Sequence, residues 1–451
     1  MFIQFHGLTQ YTSALLNRRE DGEPKRMPVG GVTRTRVSSQ SLKYSWRNDD
    51  RFQEIPVEMS VRSRETFPKM IAAPLHDSVE ESEAAQAFSE VAGGEARDIA
   101  KRIVSAAVME VRTWVVSGSS ATPSDLRDLL DMEPDEGLEE LKTGQVVVLG
   151  RPEVRYLREV AQEVAVKGLA EAARTAEEDE DGAIDINAVV KVIRDQVGED
   201  LGENLAALEK AAGLDAALFG RMATSDILAQ GRPAISVAHS LTTHGEEYQR
   251  EYFSAVDQLQ AAKTEAVASA EQEGRGFRPG GEENEKGGAA HVGETALTSG
   301  LFYSYVSVDV PLLVSNLSGT SKEDWQTGDR ELAAEVVATL LEVMAQKSPG
   351  AKKGGTAPYA YAQFMMGEAT RQQPRQAMSA FEEPAPRRAA YRNSVAALDE
   401  WIREMDRMHG FEGERVVAKR DDDEMDMDHE RMTIPQMKTW AKEIVTSGLS
   451  T

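Results

Sequence analysis

The order in which two periodicities alternate along the chain constrains the fold most. Strand-like segments near the amino terminus, "MFIQFHGL" and "VTRTRV", and again from about residue 235, are separated by more than a hundred residues of helical spacing. A sheet whose strands come from both sides of such a block must be closed by long-range pairing, with the block as an insertion. In the first segment Phe2, Gln4 and His6 alternate with Ile3, Phe5 and Gly7; in the second Val32, Arg34 and Arg36 alternate with Thr33, Thr35 and Val37. The helix "SQSLKYSWR" follows, capped by Ser38 or Ser39, with Leu42 and Trp46 one turn apart and Lys43 and Arg47 on a neighbouring face.

The helical block contains "SVEESEAAQAFSEVAGGEARDIAKRIVSAAVMEVRTWVV" and "PEVRYLREVAQEVAVKGLAEAARTAEE", with a short strand expected in "GQVVVLG". Beyond it, "AISVAHSLTTH" reads as a strand preceded by the glycine-punctuated excursion "FGRMATSDILAQGRP". "GLFYSYVSVDVPLLVSNL" reads as another strand, "DRELAAEVVATLLEVMAQK" as a helix and "TAPYAYAQFMMGEA" as a final strand-like segment. This succession predicts an α+β fold: a small antiparallel sheet backed by helices and interrupted by insertions.

Charge is distributed unevenly. The 451 residues carry a formal net charge of -25, yet residues 1–69 hold 12 Lys or Arg against 8 Asp or Glu, and the run "GGVTRTRVSSQSLKYSWR" at 30–47 contains no acid. The summed field excludes a nonspecific nucleic-acid coat, whereas a local convergence of cations remains able to hold phosphate. Arginines two apart on a strand point the same way, at a spacing that roughly matches successive phosphates. The preceding loop adds Arg18, Arg19, Lys25 and Arg26, and Gly30 and Gly31 permit a turn or a close backbone approach.

Other chemistries find little support. Without cysteine there is no disulfide, thiolate site or cysteine nucleophile. His239 and His244 lack a third ligand, and Asp226 lacks a partner acid or base, so neither a metal centre nor a catalytic group is expected. No long apolar run suggests a membrane span, and a soluble cytoplasmic protein is expected without a cofactor.

The segments "FIQFHGLTQYTSALLNRRE", "GGVTRTRVSSQSLKYSWR", "LFGRM", "AHSLTTH", "YFSAVDQL" and "SGLFYSYVSVDVPLL" resemble, in that order and over roughly residues 1–365, the CasC family. That family supplies the repeated backbone subunit of the type I-E CRISPR surveillance complex, Cascade. The resemblance implies an RRM-like palm with an inserted helical finger and a thumb. It implies partners too: CRISPR guide RNA, target DNA through the guide, neighbouring copies of the chain and other Cascade subunits.

On this chain the expected divisions are 1–77 for the first part of the palm, 78–213 for the finger, 214–235 for the thumb and 236–370 for the rest of the palm. A carboxyl-terminal helical and acidic extension, 371–451, is expected to be solvated, as is a glycine-rich insertion near 264–298. The resemblance assigns RNA contact to Arg18, Arg34, Arg36, Ser38, Gln40, Lys43 and Arg221, with Phe219 or Met222 as a base wedge. The rival functions are a metal-dependent endoribonuclease that processes CRISPR RNA and an RNA-independent structural assembly.

Overall fold

The computed structural model describes residues 1–78, 85–86, 88–89, 95–180, 182–198, 200–207, 213–221, 232–246, 248–256, 289–421 and 423–449. β1 (Phe2–Ala14) lies at the centre of a ten-stranded sheet, hydrogen-bonded to β9 (Ala289–Asp309) on one side and β10 (Ala362–Thr370) on the other. Beyond β9 come β7 (Ser240–Thr242), β3 (Val32–Val37) and β2 (Arg26–Val29); beyond β10 come β11 (Gly413–Lys419) and β12 (Glu430–Arg431). β6 (Ile235–Val237) and β8 (Tyr248–Val256) also pair with β9. Every pairing in this sheet is antiparallel except β11 with β12, which is parallel.

Alternation along β1 gives the sheet two apolar faces. Ile3 and Phe5 enter a core shared with α1 (Ser39–Arg47) and with three later helices, α4 (Val310–Ser318), α5 (Arg330–Gln346) and α7 (Ile434–Ser447). Leu8 faces the opposite way, into a second core with Tyr303, Phe364, Phe381 and Leu398, the last on α6 (Ala390–His409). With the helical block, the β2–β3 hairpin and β8 set aside, the chain runs β1, α1, β6 and β7, β9, α4 and α5, β10. The spatial order of its strands is β10-β1-β9-β7. This is the split β-α-β connectivity, in which two helices return the chain across one face.

The helical block has its own core, built on α2 (Ala96–Ser117) and α3 (Arg151–Glu178) and extending from Phe67 to Leu205. Its "GQVVVLG" segment forms β5 (Val147–Leu149), paired with β4 (Val61–Ser63). Among the described residues no helix is long and apolar enough to cross a membrane.

The carboxyl-terminal extension differs from the solvated tail expected. β11 and β12 widen the sheet, α6 covers one face through Leu398 and Ile402, and α7 packs on α5 with Met437 and Ile444 buried. Ion pairs anchor it further: the buried Glu368 of β10 accepts from Arg415 Nε at 2.7 Å and pairs with Arg375 at 3.3 Å, and both arginines also reach Asp406 on α6. The high charge of this region is therefore partly internal. Of the glycine-rich insertion near 264–298, residues 264–288 lie outside the described residues, while 289–298 belongs to β9, where Thr298 pairs with Ala14.

Candidate nucleic-acid interface

β2 and β3 form a hairpin closed by Gly30 and Gly31, both with positive φ, as a two-residue turn of this kind demands. Gly30 also touches the distant chain: a Cβ there would lie 1.8 Å from the Glu382 carbonyl oxygen. β3 leads into α1, whose N-cap is Ser38; its hydroxyl accepts from the Ser41 amide at 3.4 Å, while its own amide donates to Asn17 Oδ1 at 3.0 Å. The bond to Asn17 pins the end of β1 beside the start of α1. Leu42 and Trp46 bury one face of α1 in the core, which turns Gln40, Lys43, Tyr44 and Arg47 outward to varying degrees.

The basic residues of this region separate into two groups. Arg19 pairs with Asp21 and Arg26 with Glu23 and Glu246, so their charge is locally matched. Arg18, Lys25, Arg36, Lys43 and Arg47 have no carboxylate within ion-pair distance among the described residues. Arg18 and Lys25 line a shallow cavity of about 610 Å³ together with Arg19, Glu20 and Asp21. Arg36 is half-buried and its Nε lacks a hydrogen-bond partner. His239 joins this group: its Nδ1 accepts from the Ser39 amide at 3.0 Å, and burial, then Arg36 and Lys25, lowers its pKa. A neutral imidazole there accepts a proton less readily because cations surround it.

Along α1 a second concentration forms. Lys43 Nζ sits 5.4 Å from the Phe219 ring centroid, and its pKa is lowered by burial and then by Arg62. Arg47 is lowered by the same two causes and stacks 5.2 Å from the exposed Tyr44 ring. Aromatic faces hold these cations without cancelling their charge. Arg62 itself pairs with Asp215 at 2.9 Å, and a cation whose protonation a neighbouring cation depresses is favoured by the arrival of an anion.

Three expected contacts sit elsewhere than on the surface. Arg34 is fully buried; Nε donates to the Val29 carbonyl at 3.1 Å, Nη1 to Thr242 at 2.8 Å and Nη2 to Phe381 at 2.5 Å. It shares a strand face with Arg36, but the chain around Phe381 closes over it, so its donors serve the fold. Arg221 is also buried and binds both carboxylate oxygens of Glu153 on α3 at 2.7 Å, tying the chain that leaves the helical block back to the block. Ser38 is buried as the helix cap.

Phe219 packs half-buried against the sheet-side core beneath Lys43, the inward alternative to a wedge. Met222 lies outside the described residues, as does Asp226. Arg18 and Gln40 are exposed, with Gln40 in the first turn of α1. Sequence reasoning passed over His239 as a member of the basic group, along with Tyr44 and Arg62. Tyr44 stood inside the quoted basic run, whereas His239 and Arg62 come from distant segments that only the fold brings near. Among the described residues no three His, Cys, Asp or Glu gather as a metal site; His244 is buried, its Nδ1 on the Gly245 carbonyl and its Nε2 accepting from the Leu301 amide.

The profile of the CT1975-like protein family matches residues 3–273 and 281–442. Two solved structures share the fold. A chain of a "CRISPR RNA-guided surveillance complex, pre-nicking" is 20% identical with a TM-score of 0.64, and one of a "CRISPR RNA-guided surveillance complex" is 19% identical with a TM-score of 0.55. In both cases the alignment covers 98% of this chain and 100% of the other. No curated protein sequence is significantly similar to the chain. The matched ranges take in the central strands, the helical block, the basic β3–α1 surface and most of the carboxyl-terminal extension, and the chain belongs to the CT1975-like protein family.

Proposed function

We propose that this protein is a non-catalytic, CasC-like backbone subunit of a CRISPR surveillance complex of type I-E, several copies of which assemble along a guide RNA and present it for pairing with target DNA. The observation that carries this reading is the set of five cations around α1 that have no carboxylate within ion-pair distance among the described residues, in a chain of net charge -25. Arg18, Arg36 and Lys43 supply charge to the phosphates, and Gln40 a directional hydrogen bond; these contacts position a strand and do not read its sequence. The fold shared with surveillance-complex chains supports the same assignment.

In this reading the central sheet is an RRM-like palm, which the strand order β10-β1-β9-β7 supports. The helical block is the finger, and the segment around 214–235 a thumb toward the neighbouring copy. The acidic remainder of the chain repels RNA from other faces and favours ordered loading along one groove. The complex works in the cytoplasm, alongside other Cascade subunits.

The test is the absolute mass and RNA content of the protein purified with and without a candidate guide RNA and partner subunits, in one chromatographic run. A discrete multi-copy particle that requires RNA is expected. A particle whose mass ignores guide and nuclease treatment would identify a protein-only scaffold, and divalent-metal-dependent cleavage of the guide by the purified chain would identify a nuclease.

A further inference from the structure

A second acid-free stretch lies far from the first in sequence. Residues 347–367 contain Lys347, Lys352 and Lys353 and no Asp or Glu. The loop that joins α5 to β10 occupies 347–361, and it displays Tyr359 and Tyr361 with 76% and 69% of their surface exposed. Those two rings, with Tyr44 at 62%, are three of the five exposed large apolar side chains among the described residues. No exposed aliphatic side chain of comparable size accompanies them on the loop, as would suit the apolar centre of a protein contact.

The loop is held firmly while its rings remain out in solvent. Ser348 Oγ donates to the Ala360 carbonyl at 3.1 Å and accepts the Ala360 amide at 3.0 Å, which clamps the two ends together. Lys347 pairs with Asp49 just beyond α1, and Lys352 Nζ donates to Thr295 Oγ1 on β9. The Ala351 amide donates to the Leu15 carbonyl, two residues before the Asn17 that holds Ser38. The loop thus abuts the end of β1 that leads to Arg18, on the border of the cation group. Lys353 is exposed and has no ion-pair partner among the described residues.

Resting on the strand-binding reading above, we propose that Tyr359 and Tyr361 form a stacking platform for unpaired bases of a single strand whose phosphates are held at Arg18, Arg36 and Lys43, with Lys353 taking a further phosphate. Fixed aromatic faces beside uncompensated cations are the means by which single strands are held without sequence preference. The bases come from the guide RNA or from a single DNA strand, and both present the same π-faces.

The experiment measures binding of nuclease-treated full-length protein to fluorescein-labelled single strands of mixed sequence: RNA, DNA of the same sequence, and the RNA with abasic positions. Tyr359→Ala with Tyr361→Ala should weaken RNA binding about tenfold or more, while the Phe versions stay within about twofold, and the abasic strand should register no difference. A loss confined to RNA assigns the platform to the guide, and one confined to DNA assigns it to a DNA strand. Lys353→Gln should lower the salt slope for RNA by about 0.7.

Unchanged affinity in the Ala variant, or an equal loss on the abasic strand, overturns the platform. So does a reduced RNA-free oligomer mass with unaltered RNA affinity, which would place a second copy on the tyrosines. Should the double variant melt early, each single variant is measured against the same strands. If Arg36→Ala with Lys43→Ala also leaves RNA binding intact, the strand-binding reading itself fails; loss there alone removes only the platform.

Discussion

Arg34 and Arg36 stand two residues apart on one strand face, and the structure gives their substitution opposite consequences. Removing the Arg34 side chain leaves the carbonyls of Val29, Thr242 and Phe381 without the donors that now meet them at 2.5 to 3.1 Å. The Thr242 and Phe381 bonds are buried and the Val29 bond only partly so; each orphaned buried acceptor costs ~1–3 kcal/mol, so Arg34→Met should destabilise the fold by roughly 2–6 kcal/mol, a large part of a typical ~5–15 kcal/mol total. The loss falls on the joint that ties the β2–β3 hairpin to β7 and to the carboxyl-terminal segment. Arg36→Met removes a guanidinium whose Nε has no partner, and stability should stay within about 0.5 kcal/mol.

Urea unfolding followed by circular dichroism measures the first effect, and RNA affinity of the folded protein as a function of salt measures the second. Arg36→Met should reduce the single-strand salt slope by about 0.7 with the unfolding midpoint unmoved. An Arg34→Met protein that unfolds at the wild-type midpoint yet binds RNA more weakly would refute the assignment of Arg34 to the fold.

Arg221→Met should cost ~3–5 kcal/mol, because it strands the Glu153 carboxylate in a site where both side chains are nearly inaccessible. Replacing both partners by Met should cost less than the worse single change, and a double-mutant cycle by urea unfolding measures the coupling. Burial pushes the Glu368 carboxyl up, but His6, Arg415 and Arg375 more than offset this and hold its pKa at about 2. Because that lies below the unfolded value of about 4.3, its contribution is complete above roughly pH 4.5 and is lost as pH falls toward 2. The urea midpoint should therefore decline through that window, and Glu368→Gln should flatten the decline.

Local signals in the sequence located β3 and α1 at the residues they occupy, since strict alternation, a serine cap and an apolar pair one turn apart all agree there. The same alternation could not separate Arg34 from Arg36. What distinguishes them is the Phe381 carbonyl, 347 residues further along the chain from Arg34. The strand read through "DVPLL" ends at Asp309, whose side chain accepts from the Leu312 amide and starts α4 with Pro311 in its first turn. The carboxyl-terminal region looked solvated because its charges dominate its composition. Their partners, Glu368 on β10 and Glu342 on α5, lie in elements read separately, so the pairing that makes this region part of the fold had no local signature.

The two ends of the main sheet bear on how copies can meet. One end is β2, four residues long and carrying Pro28; the other is β12, only two residues long. A strand that short, or one lacking an amide where a partner would seek it, is a poor template for another backbone. Growth by adding strands from another copy is discouraged at both of these ends. In the assembly proposed above, copies that met at these two ends would do so through side-chain surfaces or through what they jointly hold, and an array of that kind could come apart again without unravelling its members.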